Sequence, residues 1–128
     1  MFYTFDSQEE RRNFGGSAFV EMQFCKLPSG TEIGKTVCVD SIINWQNDSL
    51  YIKDENLFYE QYSQIFDCGV YNNLKKGTVD IYGINYYSSD LIDSIKEKLY
   101  ETKPMDYEIL IEWLNKAEKY NGFYILGI

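Results

Sequence analysis

Apolar and polar positions alternate most clearly over residues 17–27, where Ala18, Val20, Met22 and Phe24 are separated by Phe19, Glu21, Gln23 and Cys25. A period of two puts the first set on one face of a strand. Turn chemistry follows at Pro28-Ser29-Gly30-Thr31, and Ile33, Lys35, Val37 and Val39 resume on alternate positions, which predicts a hairpin. Polar residues 47–49 separate two further strand-like runs, 42–45 and 50–52, so that the four runs suit a meander. Met1 to Phe5 reads as a short aromatic strand, and the charged segment 6–13 is closed by a turn at Phe14-Gly15-Gly16.

Helical spacing begins after Asp54, a capping residue, with Phe58, Tyr62, Ile65 and Phe66 on one side and an expected end near 67–69. Residues 72–77 read as a loop and 78–87 as one strand rich in β-favouring side chains. Two helices follow, one carrying Leu91, Ile92, Ile95 and Leu99, the other Leu110, Trp113, Leu114, Ala117 and Tyr120. Pro104 divides them because proline disfavours helix at its predecessor. Asn121-Gly122 supplies a left-handed cap, and the apolar run 123–128 fits the interior of a sheet. The sum is an α+β fold with a mainly antiparallel sheet and three helices, forming a single domain over residues 1–128.

Composition narrows the chemistry. The 128-residue chain contains no histidine, which removes Ser-His-Asp and Cys-His catalysis and histidine-based metal sites. Cys25, Cys38 and Cys68 follow no paired redox or zinc spacing and are expected as free thiols. With no apolar run long enough to span a bilayer and no basic, apolar leader at the start, a cytoplasmic protein without membrane contact is expected. Glycine-rich phosphate loops are missing, and no cofactor is expected.

Charge singles out one region. Six carboxylates between Asp40 and Asn73 against Lys53 alone give −5 of the net −8, leaving −3 for the other 94 residues. Tyrosines are interleaved with them, and rigid amphipathic rings among carboxylates suit docking onto a basic surface. Asp48, Tyr51, Asp54, Glu55, Tyr59, Glu60 and Asp67 are therefore the candidate partner-binding residues. Solvation of a helix and two loops is the simpler use of any one of these acids. Carboxylate-based catalysis draws attention to Asp80 beside Tyr82 and to Glu108 with Glu112, although the latter pair fits an exposed helical face.

The acidic, aromatic stretch 49–60 and the ending 112–128, on a small chain without a catalytic constellation, resemble the bacterial immunity proteins of contact-dependent growth inhibition and other polymorphic toxin systems. That resemblance implies a non-enzymatic toxin inhibitor that acts in the cytoplasm. It would bind a cognate toxin domain with a basic surface, a nuclease above all, and cover its active site or substrate groove. The inhibitor itself would be a monomer or weak homodimer with no direct hold on nucleic acid. The alternatives are a phage-encoded inhibitor or nucleic-acid mimic directed at a host defence protein, and a small carboxylate enzyme.

Overall fold

In the computed structural model, which describes residues 1–15, 19–43 and 45–127, seven strands form one sheet in the order β1-β3-β2-β7-β6-β4-β5. The strands are β1 Phe2–Tyr3, β2 Val20–Phe24, β3 Leu50–Ile52, β4 Gly69–Tyr71, β5 Lys76–Gly77, β6 Ile84–Tyr87 and β7 Phe123–Leu126. Every pairing is antiparallel. The helices are α1 Gln8–Gly15, α2 Ile33–Thr36, α3 Glu55–Tyr62, α4 Ile92–Thr102 and α5 Tyr107–Ala117. The α+β class and the antiparallel sheet agree with the sequence pattern, whereas the helix count is five instead of three.

One face of the sheet carries the main core. Val20, Met22, Phe24, Leu50, Ile52, Phe123 and Ile125 pack there against the inner sides of α3, α4 and α5. Leu110, Leu114 and Ala117 are fully buried on α5, as the spacing predicts. α3 is tied down at its far end, where the Tyr62 hydroxyl donates to the Met105 carbonyl and Met105 N donates to Gln61 Oε1 at 3.1 Å.

The opposite face is covered as well. Phe5, Phe19 and Tyr51 form one small cluster under α1, and Cys25, Val37, Tyr86 and Tyr124 form another under α2. All five residues of β2 are consequently buried, Glu21 and Gln23 among them.

Three predicted features are corrected. Residues 33–39 are not the second strand of a hairpin: they begin with α2, whose first turn closes when Lys35 N and Thr36 N donate to the Glu32 carbonyl. β2 pairs instead with β3 and β7, so neither of its edges is left for them, and the meander does not form. The run 42–45 is likewise no strand in its described part. Second, residues 69–77 form the β4–β5 hairpin rather than a plain connection. Third, only Ile84–Tyr87 of the segment 78–87 is strand. Tyr82 N donates to Asp80 Oδ1 at 2.9 Å, and the Asn85 side chain bonds both Asp80 N and Asp80 O at 2.8 Å. Asp and Asn side chains offer the backbone this alternative to a ladder. The turn residue Gly16, Ser17 and Ala18 of the predicted β2, Asn44 and Ile128 lie outside the described residues.

Candidate functional site

The loop 78–82 leaves the sheet and stands beside α3, and the space between them is a groove of about 560 Å³ lined by Asn56, Tyr59, Tyr71, Thr78, Asp80 and Tyr82, among others. α3 forms because Asp54 Oδ1 accepts from Leu57 N at 2.9 Å, satisfying a free amide of the first turn. Phe58 and Tyr62 face the core, which turns Tyr59 and Glu60 outward. On the other wall the Tyr71 hydroxyl donates to the Thr78 carbonyl, pinning the loop, and the Asp80 turn presents Tyr82 with 70% of its surface exposed. The groove continues past Tyr59 to Ser63, Gln64 and Asp67.

Of the seven residues selected from the sequence, Asp54, Glu55, Tyr59 and Glu60 are brought together on α3 and its cap, and Asp67 lies farther along the groove. Asp67 pairs with Lys98 of α4 at 3.1 Å, whereas Asp54, Glu55, Glu60 and Asp80 enter no ion pair among the described residues. Two residues leave the set. Tyr51 is fully buried on the opposite face of the sheet, where its hydroxyl donates to the Gln46 carbonyl at 2.8 Å. Burial and the charge of Glu21 push its pKa far up. Asp48 precedes β3 while Asp54 follows it, which places them at opposite ends of the sheet; Asp48 pairs with Lys26 at 2.8 Å, and its carbonyl accepts from Trp113 Nε1 at 2.9 Å.

Comparison with family models, with curated proteins and with solved structures returns no match for this chain. The site thus rests on its own geometry.

Tyr71 is one of the tyrosines interleaved with the acidic segment, Tyr82 reads in the sequence as either a recognition residue or core filling, and Thr78 is an addition the sequence did not single out. Asp80 and Tyr82 did stand out together, but as a catalytic candidate on a strand. The usable signal was Asp80-Ile81-Tyr82-Gly83, a turn pattern inside an apolar run. Glu108 and Glu112 are exposed on α5, opposite its buried stripe. No three acidic or cysteine side chains converge into a metal-holding group among the described residues. No described helix is long and apolar enough to cross a membrane.

The cysteines lie in separate environments and carry free thiols: Cys25 buried, Cys38 exposed and Cys68 half-buried. With no hairpin, Cys25 has no strand partner at Gly34; its sulfur instead lies 3.4 Å from the Tyr124 hydroxyl. Burial raises the Cys68 thiol pKa, with a smaller upward contribution from Asp67 opposed by Lys98.

Proposed function

We propose that the chain is a stoichiometric protein inhibitor of the immunity class, which docks the α3 side of the groove onto a basic surface of a toxin domain and blocks it. The supporting observation is the pairing of exposed tyrosines with unpaired carboxylates. Tyr59 and Tyr82 stand at the groove between α3 and the 78–82 loop with Asp80 beside them, and Glu55 and Glu60 lie on the same helix as Tyr59; none of the three acids enters an ion pair among the described residues. Aromatic anchors at the centre of an interface slow dissociation, and charges at its rim speed encounter. The backbone carrying each anchor is already held by the fold, Tyr59 on α3 and Tyr82 by the Asp80 turn, so little backbone freedom is lost on docking.

An evenly charged track, as a nucleic-acid mimic needs, has less support. Lys98 sits on Asp67 and Lys53 interrupts the acidic end of α3. Carboxylate catalysis also has less support, since Asp80 Oδ1 already serves the turn by accepting from Tyr82 N.

The test is binding to, and protection against, the toxin domain encoded by the adjacent gene. Glu55→Lys with Glu60→Lys should slow association at low salt while the fold is retained; Asp54 is left in place because it caps α3. Equal binding and protection by that double variant would overturn the surface assignment. Lack of binding by the parent chain would overturn the functional reading.

A further inference from the structure

A second cavity, of about 320 Å³, opens on the other face of the sheet at the end where β6 begins and β7 ends. Its wall is mixed, with a strip of apolar side chains from Phe19, Ile42, Ile43, Ile84 and Leu126 beside polar surface, and the exposed Val39 at its edge. Its remaining side chains include two that carry charge, Arg11 of α1 and Glu21 of β2, and each residue is more than nine-tenths buried.

The two charged groups are not equally satisfied. Glu21 Oε2 accepts from Gln23 Nε2 at 2.9 Å and from Ser49 Oγ at 2.8 Å. Arg11 has no carboxylate within ion-pair distance among the described residues, its buried Nε has no hydrogen-bond partner there, and its guanidinium carbon stands 5.8 Å from the Tyr51 ring centre. A buried guanidinium is always charged and matches a carboxylate with paired donors. Leaving such a donor unsatisfied is costly, so one that lines an open cavity points to an anionic group supplied from outside.

The geometry points to a binding site for a small monocarboxylate with an apolar tail, its carboxylate on Arg11 and its tail along Ile42, Ile43, Ile84 and Leu126. The volume lies at the small end of the range for ligand sites, roughly 300–1,000 Å³. A cationic ligand would meet the guanidinium. Burial raises the Glu21 pKa above the ordinary carboxylate value, and the bonds from Gln23 and Ser49 already occupy its Oε2, so the cavity leaves the Arg11 guanidinium as the group for an anion to meet. Tyr82 lines both this cavity and the α3 groove, but the charged residues are different, so either assignment stands if the other falls.

The experiment is a methyl NMR titration of the full chain with octanoate, using octylammonium and octanol as the matched cationic and neutral probes. Octanoate should shift the methyl signals of Ile43, Ile84 and Leu126 saturably and bind at least tenfold more tightly than either control. Arg11→Met, which keeps the apolar stem, should weaken octanoate about tenfold or more. Glu21→Gln should tighten it, because the amide retains an acceptor for Gln23 and Ser49 while removing a negative charge. No saturable shift, equal binding of the three probes, or undiminished binding by a folded Arg11→Met variant overturns the site. Should Arg11→Met not fold, Glu21→Gln decides by itself: tighter binding supports the assignment, and unchanged or weaker binding overturns it.

Discussion

Trp113 lies flat on Phe24, with ring centres 4.2 Å apart and planes within 8° of parallel. The same indole meets Phe123 edge-on at 5.6 Å and donates from Nε1 to the Asp48 carbonyl at 2.9 Å. One α5 side chain therefore joins β2, β7 and the turn before β3. Trp113→Ala should destabilise the protein by about 3–5 kcal/mol, as removal of a large buried ring does. Trp113→Phe should keep most of the stacking and lose about 1 kcal/mol through the hydrogen bond. Denaturant unfolding of both variants checks the two magnitudes.

Gly122 occupies the left-handed region at φ 78°, and a Cβ there would overlap the Tyr87 carbonyl oxygen. Gly122→Ala should cost about 2 kcal/mol or more, combining backbone strain with the overlap. Thermal melting should show the loss. An unchanged midpoint would mean that the turn leading into β7 has a different geometry.

Glu21 supplies a pH dependence with a definite sign. Burial raises its folded-state pKa above the ordinary value of 4.5, outweighing the hydrogen bonds and Arg11, which lower it. The folded protein thus binds this proton more tightly than the unfolded chain, and the stability contributed is lost as pH rises through the folded pKa. Glu21→Gln cannot ionise. Its stability relative to the parent should therefore increase as pH rises above 4.5 and level off beyond the folded pKa. Urea titrations across that interval measure the difference, and a difference that does not change with pH would refute the assignment.

Thiol labelling should proceed in steps. Cys38 is exposed and should react first, Cys68 more slowly because burial raises its pKa, and Cys25 last because it is sealed beside Tyr124. Denaturation without reductant should release three thiols in total. A count of one would contradict the three free cysteines.

Tyr82 and Tyr51 should separate binding from stability. Tyr82→Ala removes a ring with 70% of its surface exposed and should change stability by less than about 0.5 kcal/mol while weakening partner binding tenfold or more. Tyr51→Ala should do the reverse, destabilising the fold by several kcal/mol through its contacts with Phe5 and Phe19. Calorimetry on each variant, with and without the partner, reads both quantities.

Local spacing revealed the elements whose reasons are local. Ile92, Ile95 and Leu99, then Leu110, Leu114 and Ala117, mark one buried stripe each, and Asp54 caps α3 as its residue type suggests; Gly122 is left-handed as expected, but in the turn into β7, since α5 ends at Ala117 with Glu118 as its C-cap. Failures occurred where a distant segment decided the outcome. Ile33, Lys35, Val37 and Val39 alternate well, yet only Val37 is buried, because β7 fills the position beside β2 from the other end of the sequence. Tyr51 stands out by its place among carboxylates in the sequence, but it sits on a strand covered on both faces, and the cluster with Phe5 and Phe19 buries it. The groove was half legible: α3 supplied its acidic wall, and the Asp80 turn that builds the opposite wall was hidden inside an apolar run.

The place of β7 in the sheet also bears on how the protein reaches its fold. β1, β2 and β3 come from the first 52 residues, β4, β5 and β6 from residues 69–87, and β7 alone hydrogen-bonds to both groups. Pairing Glu21 with Leu126 closes a loop of about 100 residues, whose entropy is lost before the contact is gained. The two strand groups can therefore assemble early as separate units, each exposing an apolar edge until β7 arrives. The rate-limiting event would be the insertion of one four-residue strand, and Ile125→Val should slow folding more than it speeds unfolding.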